Sequence, residues 1–191
     1  MAPRFILASA SPRRRQLLEM LGLDFVVVPA PSEEEPDLSL PIEDAIAGVA
    51  EAKARSVKSE LPVLAADTVV SINGRILGKP GDEAGAAAML RALSGARHDV
   101  YTGVAVSFGG RMLRACQRTA VYFRELTDEE IRAYVATGEP MDKAGAYGAQ
   151  GLGALFIDRI DGDFFNVMGL PLCLTGRLLA EAGIEVLREM P

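Results

Sequence analysis

The chain is poor in the side chains that build disulfide, zinc and triad sites: 191 residues contain two cysteines and one histidine. Cys116 and Cys173 stand far apart, without the paired spacing of a zinc ligand set, and are expected to be buried, reduced thiols of a cytoplasmic protein. His98 has no serine or cysteine nucleophile in a recognisable setting, so it reads as structural rather than as a triad base. Long apolar runs are missing too. None approaches the roughly 20 residues of a membrane span, and Phe5-Ile6-Leu7-Ala8 is stopped by Ser9 and three consecutive arginines before a signal-peptide core can form. Positive charge is in deficit, with 20 basic against 26 acidic residues and a net charge of −6. That balance argues against a protein held to nucleic acid by its overall field, although a local basic pocket is compatible with it. No internal repeat, low-complexity tract or linker interrupts the sequence.

What is present suits one globular domain spanning residues 1–191, since 49% hydrophobic and 24% charged residues supply both core and surface. Strand and helix signals alternate. Arg4 to Ala8 reads as a buried strand; Ser11 and Pro12 open a helix with Leu17, Leu18 and Leu21 on its apolar face, and Gly22 ends it. Phe25 to Val28 is a second strand, followed by a polar loop from Ser32 to Asp37 and a helix of about Glu43 to Ser59. Pro62 to Ala66 is a third strand. Val69 to Leu77 reads as a hairpin turning at Asn73-Gly74, and Asp82 to Leu93 as a helix closed by Gly95. Val100 to Phe108 and Met112 to Phe123 form long strands joined at Gly109-Gly110. Thr127 and Glu130 form a capping box opening a helix to Thr137. Glycines at 138, 145, 148, 151 and 153 break the pattern and imply a backbone that approaches something closely. Leu155 to Ile160 is a further strand and Pro171 to Ala182 a final helix, which together give an α/β fold with a mixed sheet, bent into two lobes around a cleft.

Candidate chemistry is concentrated in a few segments. In Ser9-Ala10-Ser11-Pro12-Arg13-Arg14-Arg15 the arginines crowd the positive end of a helix dipole beside two hydroxyls and free N–H groups, an arrangement that costs stability unless an anion binds; a solvated basic helix start is the alternative. Asp67 closes the apolar run Val63 to Ala66, the strand-end position where α/β folds hold catalytic or metal-binding acids, or else an Asx turn. Glu33, Glu34 and Glu35 are either divalent-cation ligands or a solvated loop. Lys53 fits a helix C-terminus on dipole grounds alone. Gly74 to Lys79 is not a phosphate-binding P-loop, because one residue is missing between its glycines and Pro80 replaces the metal-binding hydroxyl; Gly151-Leu152-Gly153 likewise lacks the dinucleotide fingerprint.

In combination these segments resemble the Maf family of nucleotide pyrophosphatases. The resemblance rests on SASPRRR at residues 9–15, the acids ending at Glu35, Ala52-Lys53-Ala54, Ala66-Asp67-Thr68-Val69-Val70, Gly78-Lys79-Pro80, His98 to Gly103, Ala146 to Gly151, and Asn166 to Pro171, in order along nearly the whole chain. It implies a fold related to the inosine triphosphate pyrophosphatases, a deep cleft between two lobes, a homodimer, and Mg²⁺- or Mn²⁺-dependent hydrolysis of a nucleoside triphosphate to the monophosphate and pyrophosphate. Carried onto this sequence, Arg13, Arg14, Lys53 and Lys79 would contact phosphate, Ser9 and Ser11 would donate hydrogen bonds, and Glu34 with Asp67 would hold the metal, Asp67 also serving as base. Three glutamates stand where the family places its acidic metal residue, and counting from Gly22 points to Glu34. Arg13, Thr68 and Gln150 match the branch that prefers thymidine and uridine triphosphates. A glutamine amide suits the N3–H and carbonyl edge of those bases, although in a glycine-rich turn it can equally satisfy loop backbone. A 7-methyl-GTP-preferring enzyme of the same family, or a non-catalytic nucleotide-binding regulator of septum formation, is the alternative.

Overall fold

A computed structural model of the chain describes residues 3–31 and 34–187; Ser32 and Glu33 of the expected acidic loop lie outside the described residues. The elements follow the sequence closely. Strand β1 (Phe5–Leu7) leads into helix α1 (Pro12–Met20), where Pro12 takes the first helical position and loses no hydrogen bond there. Gly22, at φ 66°, provides the left-handed exit before β2 (Phe25–Val27). Helix α2 (Ile42–Ser56) carries Glu43 and Asp44 in its first turn and Lys53 and Arg55 in its last, and β3 (Val63–Ile72) turns through Asn73 and Gly74, both at positive φ, into β4 (Arg75–Leu77). Asp82 caps α3 (Glu83–Leu93) by accepting from the Gly85 N–H at 2.7 Å. Gly109 and Gly110 join β5 (Arg97–Phe108) to β6 (Arg111–Phe123), and the capping box of Thr127 and Glu130 opens α4 (Asp128–Ala136). Three short 3₁₀ turns follow, then β7 (Ile157–Asp161), α5 (Phe164–Met168) and α6 (Leu172–Glu181).

The strands form one mixed sheet in the order β2-β1-β3-β5-β6-β7, with β4 paired to β3. β1 runs parallel to β2 and β3, whereas β3–β4 and β6–β7 are antiparallel. By its internal contacts the chain divides into two compact units. The first gathers the residues up to Asp67, Thr102–Gln117 and the chain from Gly169; the second gathers Thr68–Tyr101 and Arg118–Met168.

In the first unit, a small-residue face of α2 lies on the sheet. Ala50 and Ala54 pack with Ile6, Ala8, Val63, Ala65 and Ala105. Gly103 is obligatory in this packing, because a Cβ there would fall 2.3 Å from the Ile46 carbonyl oxygen. Phe5, Leu7, Leu18, Ile46 and Leu64 are fully buried in the same unit, each stabilising it by roughly 1.5–3 kcal/mol. The second unit has its own core of Val70, Leu90, Leu93, Val100, Val121, Phe123, Ile131, Tyr134, Tyr147 and Phe156. His98 sits inside it, edge-on to Phe123 and Tyr147 and bonded through Nε2 to the Tyr147 hydroxyl at 2.9 Å, in the structural role expected of it.

Several expectations need correction. Strand β3 runs straight through position 67, so Asp67 is mid-strand and not at a strand end; with Thr68 it forms a half-exposed pair inside an otherwise buried strand. Helix α2 stops at Ser56, where the Ser56 hydroxyl bonds the Lys53 carbonyl and Val57 turns extended. Leu155 and Phe156 belong to a 3₁₀ turn spanning Leu152–Phe156, and β7 starts after it. Helix α5 was not expected, being too short to show a periodicity; Asp163 caps it by accepting from the Phe165 N–H. Leu21 is exposed, and so is Cys173, since its position on α6 faces water; both cysteines are free. Among the described residues, no helix is long and apolar enough to cross a membrane.

Candidate active site

The first unit brings four of the expected residues into one electrostatic cluster. The turn between β1 and α1 folds on Ser9, which is buried and whose Oγ accepts from the Ser11 N–H at 3.3 Å and from Arg14 Nη1 at 3.0 Å. Both bonds use the serine as acceptor, so its hydroxyl proton is directed at neither. Arg14 is fixed a second time by Nε donating to the Gly169 carbonyl at 2.8 Å. Burial depresses the Arg14 pKa, the Asp67 charge opposes that, and neighbouring Arg13 adds to the depression. Arg14 therefore lies within electrostatic reach of Asp67.

Asp67 receives a second cation directly. The close seating of α2 on the sheet aims Lys53 at β3, where Nζ donates to Asp67 Oδ1 at 2.5 Å, with the two side chains only 16% and 21% exposed. Such a half-buried pair is held more firmly than a surface ion pair, and it accounts for Lys53 beyond its dipole placement. Ser11 takes the N-cap position of α1 but makes no side-chain cap bond, and the first turn holds no acid, only half-buried Arg13 and Arg14 with exposed Arg15. Arg15 is turned to solvent and pairs with Glu19 one helical turn on. Glu34, also of this unit, is exposed.

The other expected residues belong to the second unit. Thr68 follows Asp67 on β3, Lys79 is exposed on the loop after β4, and Gln150 is exposed in the glycine-rich segment. The last of those glycines close on Glu139 and on Tyr134, neither of which the glycine spacing names, whereas Gly145 meets Val70 and a Cβ on Gly138 would meet nothing within 4 Å. A Cβ on Gly151 would fall 2.4 Å from Glu139 Oε1, and one on Gly153 would fall 2.7 Å from the Tyr134 hydroxyl. The signal was present in the glycine spacing, but its partner lies in another turn of the chain.

The residues offer hard oxygen and cationic groups only. Among the described residues no group of three or more His, Cys, Asp or Glu side chains stands placed to hold a metal ion. A preformed zinc-type centre does not fit. Asp67 and Glu34 each carry the carboxylate oxygens that Mg²⁺ or Mn²⁺ takes where one or two carboxylates share the ion with water and substrate phosphate.

The family model described as Maf-like protein matches residues 4–182. The dTTP/UTP pyrophosphatase of Moorella thermoacetica is 53% identical over 188 residues, covering 96% of this chain and 97% of the relative. That of Anaeromyxobacter dehalogenans is 51% identical with both chains fully covered, and that of Thermococcus gammatolerans is 50% identical over 95% of this chain and 98% of its own. With a match running from β1 to the end of α6 and relatives aligned over their whole length, this chain belongs to the Maf family.

Proposed function

We propose that this protein is a nucleoside triphosphate pyrophosphatase that hydrolyses dTTP and UTP to the nucleoside monophosphate and pyrophosphate. Full-length relatives at 44–53% identity bear the name dTTP/UTP pyrophosphatase. The observation that carries the reading to residues is the cluster of Lys53 and Arg14 around the Asp67 carboxylate, beside the Ser9 turn.

Hydrolysis between the α and β phosphates needs a positioned water, a proton acceptor and charge neutralisation of the leaving pyrophosphate. Lys53 holds Asp67 through Oδ1, which leaves Oδ2 to orient the water and take its proton as the new oxygen–phosphorus bond forms at the α phosphate. The anhydride bond to the β phosphate breaks and its electron pair leaves with pyrophosphate. Arg13, Arg14, Lys53 and Lys79 receive phosphate charge, and Ser9 and Ser11 donate hydrogen bonds. Asp67 and Glu34 would hold Mg²⁺ or Mn²⁺, which when bound neutralises triphosphate charge. Thr68 and Gln150 are substrate-binding residues, with the Gln150 amide offering one donor and one acceptor to the pyrimidine edge. The same reading includes the inosine triphosphate pyrophosphatase-like fold, a homodimer, and a cytoplasmic setting that two free cysteines suit.

Pyrophosphate release by the purified protein, over a panel of dTTP, UTP, CTP, ATP, GTP and 7-methyl-GTP with and without Mg²⁺, tests this. The expected result is metal-dependent release that is greatest for dTTP and UTP. 7-Methyl-GTP as best substrate would place the chain in the sister branch, and binding without release from any substrate would make it a regulator.

A further inference from the structure

The second unit contains an anion that the proposed chemistry does not use. Glu139 opens the first 3₁₀ turn after α4, just beyond Gly138, which sits at φ 74°. Its carboxylate is fully engaged from inside the unit. Oε1 accepts from the Tyr134 hydroxyl at 2.8 Å and from the Gly153 N–H at 3.2 Å, while Oε2 accepts from the Leu152 N–H at 3.0 Å. The Tyr134 hydroxyl in turn accepts from the Gly148 N–H at 3.1 Å, and Lys143 Nζ donates to the Glu139 carbonyl. These bonds hold Glu139's pKa below the ordinary carboxylate range against the opposing cost of burial. The segment from Gly148 to Gly153 is thereby wrapped on one carboxylate and one phenol, and its glycines are the residues that this wrapping demands. A Cβ on Gly148 would fall 2.7 Å from Lys143 Cε, and those on Gly151 and Gly153 would meet Glu139 and Tyr134 even closer than ordinary contact allows.

Gln150 is at the crest of this wrapped segment, exposed, with Gly148 and Leu152 tied down on either side of it. We infer that Glu139, acting with Tyr134, is a positioning residue for nucleobase selection: its carboxylate fixes the backbone after Gln150 and holds the Tyr134 hydroxyl that fixes the backbone before it, so that the amide meets the pyrimidine edge in one orientation. This rests on the reading of Gln150 as a base-recognition residue. Glu139 does not itself touch substrate. Its effect is on discrimination, because an exposed glutamine on an untied glycine-rich loop would lose rotamer and backbone freedom on each binding event.

The test compares wild type, Glu139→Gln, Tyr134→Phe and Gln150→Ala, each assayed for kcat and KM on dTTP, UTP and GTP, with thermal unfolding measured in parallel. Tyr134→Phe keeps the ring that packs edge-on against Phe156 and removes only the hydroxyl, so it serves where Glu139→Gln fails to fold. We expect the dTTP-to-GTP ratio of kcat/KM to fall at least about fivefold in Glu139→Gln and Tyr134→Phe, mainly through a higher KM for dTTP, with GTP turnover changed less than about twofold. Glu139→Asp, which keeps the charge, should recover part of the ratio. An unchanged ratio in folded Tyr134→Phe, or equal losses on all three substrates, overturns the inference and leaves Glu139 a merely structural residue. If Gln150→Ala leaves the ratio unchanged, the base-recognition reading itself fails; if only Gln150→Ala changes it, the inference fails alone.

Discussion

Lowering the pH from 7 to 5 should destabilise this protein by about 2 kcal/mol through His98 alone. His98 is 1% exposed, and burial pushes its pKa from the ordinary 6.5 to about 4, with Asp99 pulling it up and Arg97 pushing it down. The geometry explains the direction. A protonated ring donates from both nitrogens, but only Nε2 has a partner, the Tyr147 hydroxyl, whereas Nδ1 is buried with none among the described residues. The unfolded chain binds a proton near pH 6.5 and the folded chain only near 4, so stability is complete above 6.5 and lost as pH falls between the two values. At about 1.36 kcal/mol per unit, the whole window is worth about 3 kcal/mol and the span from pH 7 to 5 about 2 kcal/mol. Stopping at pH 5 keeps carboxylates such as Glu130, held down to about 2 by its hydrogen bond to Arg124 and by the Thr127 cap, out of the measurement. His98 is the single histidine of the chain, so urea unfolding at pH 7, 6 and 5 in constant salt isolates it. His98→Gln should be less stable at pH 7 yet nearly flat over this range. A wild-type profile as flat as that of the variant would show that His98 does not carry the pH dependence.

Arg13→Ala and Lys79→Ala should each lower kcat/KM for dTTP at least about tenfold, since a charge-assisted phosphate contact is worth about 1.5–3 kcal/mol. Arg15→Ala should change it little, because that side chain is 63% exposed and occupied with Glu19; steady-state kinetics of the three variants checks the ranking. Gly103→Ala should cost at least about 2 kcal/mol in denaturant unfolding, as its Cβ would meet the Ile46 backbone oxygen and no side chain can yield there. Iodoacetamide should label Cys173, exposed on α6, well before Cys116, whose thiol is pushed up to about 12 by burial and by Glu43 and Asp44; mass spectrometry reads the order, and labelling at Cys173 should leave dTTP hydrolysis within a small factor.

Much of this was legible because it is local. The Asn73-Gly74 turn, the Asp82 cap, the Thr127–Glu130 capping box and the Gly22 exit each depend on residues within one turn of chain, and each formed where expected. Asp67 was identified as a candidate but misplaced, because an acid after an apolar run looks the same whether the strand stops or continues into Val69-Val70. The Lys53–Asp67 bond was beyond local patterning: it depends on how closely Ala50 and Ala54 let α2 approach the sheet, a property of packing. Glu139 illustrates the same limit. The glycines announced a close approach, but Tyr134 and Glu139, which they approach, are drawn in by tertiary bonds that no spacing rule encodes.

In the proposed reaction Asp67 carries the hydrolysis, and turnover of Asp67→Asn is the decisive measurement. Asparagine keeps the size and one acceptor oxygen for Lys53 but can neither take a proton from water nor supply a carboxylate to a cation. Pyrophosphate release from dTTP should fall at least about a hundredfold, with the unfolding midpoint retained and dTTP still bound in equilibrium dialysis. A folded Asp67→Asn protein that releases pyrophosphate at a near wild-type rate would contradict the account.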